Sequence, residues 1–268
     1  MGLGQTIRTA VIAFRNLVLG GNIRSLSLLT KPRDLVAYVS ENLFLFKTMN
    51  AKRGLPQRNT FEILPADDIE SIRFGNLKSG TWFEERPSYG IDIVNLCAIC
   101  RGIKPKTVFE IGTLKGYTAF HFALNTDDDT KIYTLDLPRG DQTAPQLNTT
   151  LTDQAHITSH EETPLHCFDG TDVGPKITCL YGDSATFDFS PYHRKVDFFF
   201  IDGAHSYEYV RSDTLNALEC CHPGSVIAWH DFGRVGVNGV TKWLLEFAGQ
   251  GHKLYAVPGG SLAFWQVQ

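Results

Sequence analysis

The chain lacks an uninterrupted apolar run long enough to cross a bilayer. Its most apolar N-terminal stretch, residues 7–29, is broken by Arg8, Arg15 and Arg24 and by Gly20 and Gly21, whereas a spanning helix needs about 20 consecutive apolar residues. No clear small-residue cleavage site follows it, so a signal peptide is not expected. Cysteine is sparse too: six in 268 residues are too few for a disulfide scaffold. Cys97 and Cys100 are spaced like a metal or redox pair but sit in the apolar segment IDIVNLCAICRGI, and no second pair completes a four-ligand set. Cys220 and Cys221 lie in another apolar helix, and all four are expected as small buried thiols, reduced in a cytoplasmic protein. Excess positive charge is missing: 25 Lys and Arg against 29 Asp and Glu leave a net charge of −4, which argues against a broad basic face for nucleic acid. There is no internal repeat or low-complexity tract, and 43% hydrophobic with 20% charged residues is globular composition. The dinucleotide fingerprint GxGxxG is also absent.

What the chain does have is a change of rhythm near residue 90. Residues 1–50 read as helical, with Pro32 interrupting and DLVAYVSENLFLF carrying an apolar face at helical spacing. Residues 7–29 are expected to pack on the core or on a second subunit, which opens the way to a homo-oligomer; a membrane-surface helix is the minority alternative. KRGLPQRN reads as loop, LPADDIESIRF as a short capped helix, and KSGTWFEERPSYG as an irregular lead-in. Helix and strand then alternate: IDIVNLCAICRGI (helix), KTVFEIG (strand), YTAFHFALN (helix), KIYTLDL (strand). After a long polar stretch, residues 138–175, come KITCLYGD and VDFFFIDG (strands), EYVRSDTLNALECC (helix), SVIAWHDF (strand) and VTKWLLEFAG (helix). KLYAV and LAFWQV flank PGGS as a closing hairpin. Strands separated by helices of this size predict right-handed βαβ units and a mostly parallel sheet, with the last strand antiparallel to its neighbours. The expected organisation is a helical extension or cap over 1–87 and an α/β domain over 88–268.

Three strand ends carry candidate ligand groups. In VFEIGTLKGYT, Gly112 and Gly116 follow a strand and open a helix; glycine there permits a sharp turn and close approach of a ligand, or it serves the turn alone. The spacing is ExGxxxG, which suits a ligand with an amino-acid end better than a pyrophosphate. Asp136 ends the next strand, 24 residues after Gly112, where an acid can accept both hydroxyl hydrogens of a ribose. Asp183 ends the third, where it and Ser184 are placed to meet an adenine edge; capping the following helix is the rival role of Asp183.

The next two strand ends carry reactive groups. Asp202 closes one apolar strand, His230 and Asp231 close the next, and His205 lies on the turn after Asp202. Adjacent parallel strands bring these groups together, and Asp202, His230 and Asp231 offer ligands suited to magnesium or manganese. A hydrogen-bonded network without metal, with Asp202 bonding His205 and Asp231 capping, fits the same residues. His121 and His193 read as ordinary core or surface histidines.

Together these segments resemble the class I methyltransferases, and within them the small-molecule O-methyltransferases that include catechol-type and macrolide-sugar enzymes. The resemblance rests on EIGTLKGYT, YGDS, IDGAHSYEYVRSD and HPGSVIAWHD and covers roughly residues 88–268. It implies a doubly wound, Rossmann-like, mostly parallel seven-stranded α/β sheet that binds S-adenosylmethionine and methylates a hydroxyl of a small-molecule substrate. By position, Glu110, Gly112, Gly116 and Thr118 would shape the methionine end, with Ser88 and Tyr89 closing over the cofactor. Asp136 would hold the ribose and Asp183 with Ser184 the adenine. Asp202 matches the first metal acid of metal-dependent relatives, His230 and Asp231 match the acid pair on the next strand, and His205 matches a histidine thought to act as base. His230 departs from the acidic or amide-type ligand of those relatives, and Ser225 replaces the second glycine of PGG. Outside the resemblance, Trp82, Phe83 and Glu84 lie just before the cofactor-facing segment, where they are candidates to line the acceptor pocket or equally packing and surface residues. A nicotinamide-dependent oxidoreductase and an inactive nucleoside-binding or interaction module stay open as rivals, the first weakened by the missing GxGxxG and the terminal hairpin.

Overall fold

The phenylalanine-rich segment VDFFFI becomes the strand at the middle of the sheet. In the computed structural model, which describes residues 54–64, 71–75, 87–138, 144–159, 166–234 and 236–268, this strand is β4 (Val196–Ile201). Phe198, Phe199, Phe200 and Ile201 are all buried, because helices cover both faces of a parallel sheet. Side chains alternate between the faces: Phe199 and Ile201 join one apolar cluster, Phe198 and Phe200 the other. Each buried phenylalanine contributes roughly 1.5–3 kcal/mol.

The chain divides into two compact units, residues 1–50 and 51–268, and every described residue falls in the second. Its strands are β1 (Thr107–Ile111), β2 (Lys131–Asp136), β3 (Ile177–Tyr181), β4, β5 (Cys221–Trp229), β6 (Tyr255–Ala256) and β7 (Ala263–Gln266). They form one seven-stranded sheet in the order β3-β2-β1-β4-β5-β7-β6. The pairs among β1 to β5 are parallel, and β7 runs antiparallel to both β5 and β6. The expected mostly parallel α/β sheet with an antiparallel last strand is therefore what forms. Strand order reverses between β1 and β4, which opens a crevice at their carboxyl ends.

Helices α1 (Pro87–Ile103), α2 (Tyr117–Leu124), α4 (Tyr207–Cys220) and α5 (Asn238–Gly249) match the segments read as helical. Helix α3 (Leu151–Ser159) was not foreseen inside the polar stretch 138–175. The hairpin turn after β6 folds back on the carboxyl edge, where the Phe232 N–H donates to the Ser261 carbonyl at 2.8 Å. Part of the region before α1 packs on this domain: Leu55 is buried, the Arg58 N–H donates to the Ala256 carbonyl of β6 at 3.0 Å, and the Thr60 N–H donates to the Asn95 side chain of α1 at 2.8 Å.

Cys97, Cys100, Cys220 and Cys221 are buried, as expected, and so is His121, while His193 is exposed. Residues 71–75 form no helix, and the rest of the short helix expected in 64–74 is not described apart from Leu64. The helices expected in residues 1–50, any subunit contact through them, and Trp82, Phe83 and Glu84 lie outside the described residues. Among the described residues no helix is long and apolar enough to cross a membrane.

Candidate active site

The loop after β1 is shaped by two glycines with different tasks. Gly112 has φ +102, and a Cβ there would sit 2.1 Å from the Asp202 carbonyl oxygen, so only glycine lets the loop turn against β4. Gly116 has φ +73, and a Cβ there would strike the Phe168 ring at 2.3 Å; its freedom serves packing. Gly112 lines the crevice, as do Tyr89, Thr118, Asp136, Asp183 and Ser184.

On this side the polar groups are held largely by backbone. Asp136 accepts the Leu114 N–H at 2.7 Å on one oxygen and the Leu137 N–H at 2.8 Å on the other. Asp183 accepts the Ala185 N–H at 2.8 Å, the Gln146 N–H at 2.7 Å and the Tyr209 hydroxyl at 2.8 Å. No helix follows Asp183, so its local task is to fix a turn. Glu110 is buried just before the loop and accepts from the Thr134 hydroxyl at 2.5 Å. Its second oxygen has no partner, and burial holds its carboxyl well above the usual range. Tyr89 in α1 bonds the Thr118 hydroxyl at 3.0 Å and sets its ring edge-on to His230, 5.7 Å between centroids. Ser88 lies in the first turn of α1; its side chain is not described.

Past the strand switch, acids and imidazoles hold one another. Ser206 caps α4, accepting the Tyr209 N–H at 3.2 Å, and so fixes the turn that carries His205. His205 Nδ1 lies 2.5 Å from Asp153 and its Nε2 lies 2.6 Å from Asp231. Burial opposes charge on this ring, but the hydrogen bonds and charges of Asp153 and Asp231 outweigh it and push its pKa up to about 10. His230 Nδ1 lies 3.2 Å from both Asp202 and Asp231, and its Nε2 lies 3.3 Å from Asp92 and from the Ser261 hydroxyl. Burial opposes its charge as well, yet Asp202 and Asp231 hold it well above the ordinary imidazole range. Asp231, with φ +64, also pairs with Arg234. Asp202, with 23% of its side chain exposed against 5% for Asp231, is the more open of these two acids.

One donor atom each from Asp202, His205 and Asp231 lie within 4.8 Å of one another. That set contains His205 where the sequence put His230. His205 does not bond Asp202, as the metal-free reading supposed; its partners are Asp153 and Asp231.

Two positioning acids escaped the sequence reading. Asp153, on α3, lies in the long polar stretch 138–175, to which no element was assigned, although Thr150-Leu151-Thr152-Asp153 has the T-x-x-D form of a helix N-cap. Asp92, fully buried in α1, accepts the Ser261 N–H, the Ser261 hydroxyl and the Leu262 N–H at 2.9–3.1 Å. Its signal was a charge inside the apolar run IDIVNL, since a buried acid needs partners.

Residues 109–232 match the family model described as a methyltransferase domain. Among solved structures the chain is similar to the O-methyltransferase TomG of Streptomyces achromogenes, involved in tomaymycin synthesis and in complex with SAM: 16% identity, TM-score 0.48, 75% of this chain and 94% of that one. It is similar also to the SAH-bound methyltransferase PaMTH1 of Podospora anserina, at 16% identity and TM-score 0.49 over 74% of this chain and 91% of that one. An O-methyltransferase of Bacillus cereus in complex with SAH matches at 13% identity and TM-score 0.43, over 77% and 88%. No curated protein matches the chain.

Proposed function

We propose that the methyltransferase domain matched by residues 109–232 transfers the methyl group of S-adenosylmethionine to a hydroxyl of a small-molecule acceptor. The observation that carries this reading is one crevice at the carboxyl ends of β1 to β5, lined by Gly112, Asp136, Asp183, Asp202, His205 and Asp231.

The residues fit the cofactor. Asp136 is an acceptor for ribose hydroxyls, and Asp183 with Ser184 stands at the β3 tip for the adenine. Gly112, Thr118 and Tyr89 line the crevice where the methionine end would lie, with Ser88, Glu110 and Gly116 in the adjoining segments; the partnerless buried oxygen of Glu110 suits an N–H donor. The sulfonium methyl is already electrophilic, so the protein's share is alignment of an in-line attack and a competent nucleophile. Asp202, the more open acid of the Asp202–Asp231 pair, orients the acceptor hydroxyl, and His205 takes its proton at Nε2 once that ring is neutral.

A magnesium or manganese ion fits the same corner as an alternative to that base, because donor atoms of Asp202, His205 and Asp231 lie close enough to share it and are of suitable type; with the ion bound, His205 Nε2 would be a ligand instead of the proton acceptor, and His230 stands behind the two acids. Bound there, the ion would lower the pKa of a hydroxyl by several units. The six free cysteines are in keeping with a reducing, cytoplasmic setting.

A thermal-shift comparison tests the cofactor: S-adenosylmethionine or S-adenosylhomocysteine should raise the melting temperature and NAD should not. Stabilisation by NAD alone would point to the oxidoreductase instead. Full turnover after chelation, with no metal recovered from the protein, would remove the ion from the mechanism.

A further inference from the structure

We propose that Asp153 is a positioning residue for His205, gripping the imidazole by Nδ1 so that Nε2 is the nitrogen offered to Asp231 and the crevice. This rests on the methyl-transfer reading for its consequence, though not for its geometry.

One oxygen of Asp153 receives two donors from the same residue: the His205 backbone N–H at 3.1 Å and the ring Nδ1 at 2.5 Å. An ionised carboxylate can only accept, so this contact places a hydrogen on Nδ1. The tautomer of a histidine is set by the bond that its other nitrogen makes; Asp231 also accepts from Nε2 in the charged ring, but only Asp153 holds both ring and backbone, which makes Nε2 the nitrogen that gives up its proton. Held at both backbone and ring, the imidazole has little freedom to swing.

The acid is itself fixed. Its other oxygen accepts the Thr150 N–H at 2.7 Å, while the Thr150 hydroxyl accepts the Asp153 N–H at 3.2 Å, a reciprocal cap at the start of α3. With 3% of its side chain exposed against 12% for His205, Asp153 is a buried acid whose charged partner is the imidazole. The same stretch of chain reaches the other end of the crevice, where the Gln146 N–H donates to Asp183 at 2.7 Å. Residues 144–159 thus brace a nucleoside-side acid and orient the base together.

A cap alone would explain a buried Asp153, so the test must separate the cap from the grip. Thr150→Ala removes the hydroxyl half of the cap and leaves the carboxylate on the ring; Asp153→Ala removes the grip. In ¹⁵N-histidine NMR spectra, with His205→Ala identifying the resonances, the Nδ1–H signal of His205 should vanish in Asp153→Ala and persist in Thr150→Ala. With catechol as the acceptor probe, Asp153→Ala should lower kcat about 10- to 100-fold, as loss of a supporting hydrogen bond does. KM for S-adenosylmethionine should move by less than about threefold, the split expected of a group that acts on the chemical step. Asp153→Glu should recover part of the rate, and Asp153→Asn, which keeps the volume, replaces the alanine variant if that fails to fold. An unchanged His205 signal or kcat in Asp153→Ala, or equal damage from Thr150→Ala, overturns the proposal. A wild-type protein that neither binds S-adenosylhomocysteine nor transfers a methyl group sinks the functional reading instead, and the NMR comparison still decides whether Asp153 orients the ring.

Discussion

Asp136 and Asp202 close the two strands that flank β1, yet they are held in different ways. Both oxygens of Asp136 accept backbone N–H groups, from Leu114 and Leu137. Asp202 instead meets the His230 imidazole, and around it Asp231, His205, Asp153 and Asp92 lean on one another. On the β2–β3 side, main-chain amides lock carboxylates into a shape. On the β4–β5 side, side-chain acids and imidazoles share protons, a network whose members stand or fall together. A rigid set of acceptors suits recognition, and a proton-sharing cluster suits chemistry.

The strongest attack on that division is His205→Ala. It should lower kcat by about 10²–10⁴, the range for losing a general base. Calorimetry should find S-adenosylhomocysteine affinity within about threefold of wild type; a large fall in affinity would mean that the two sides are not separate.

The pH dependence probes the same cluster. A base must be neutral, and the bonds to Asp153 and Asp231 push the His205 pKa from 6.5 up to about 10. In enzyme freed of divalent cations, kcat should therefore climb with pH towards about 10. A plateau beginning near 6.5, the ordinary value, would show that the grip is absent in solution.

Asp136→Ala sharpens the other side. It should weaken S-adenosylhomocysteine binding about 10- to 100-fold, in line with roughly 1.5–3 kcal/mol for hydrogen bonds to a charged group. Turnover at saturating cofactor should hold. A variant that binds normally but turns over slowly would reverse the assignment of the two sides.

Asp213 belongs to neither arrangement. It lies on α4 with both oxygens buried and in no well-formed hydrogen bond. Burial raises its pKa from 3.8 to about 7, with nearby Asp183 adding to the rise and the Ser184 hydroxyl easing it only in part. The folded state thus keeps a proton that the unfolded chain has lost, so stability should fall as pH rises from about 4 to about 7 and stay low above that. Asp213→Asn should flatten this slope and stabilise the protein by roughly 2–4 kcal/mol at pH 8. Denaturant melts at pH 5 and pH 8 check it: an equal effect at both would mean that Asp213 is partnered after all.

Much of this was legible along the chain because it depends on local period. The apolar strands, the helices between them and the closing hairpin follow from hydrophobic spacing and turn residues. Gly112, Asp136, Asp183 and Asp202 could be picked out because parallel βα units put strand ends on one edge. Helix α3 was missed because LTDQAHITS has a weak apolar stripe, and without that helix nothing pointed to Asp153. His205 was matched by position to a histidine thought to act as base, but its carboxylate neighbours come from 52 residues before it and from the end of the next strand.

By itself, then, the sequence determined the strand and helix periods and which residues stand at the strand tips, since both are set within a few residues of each position. Only the tertiary structure decided which acid meets which imidazole. Asp153 to His205, and Asp92 to His230 and Ser261, are contacts between distant segments. Their burial turns a neighbour's charge into the dominant influence on a proton, and no local pattern encodes that.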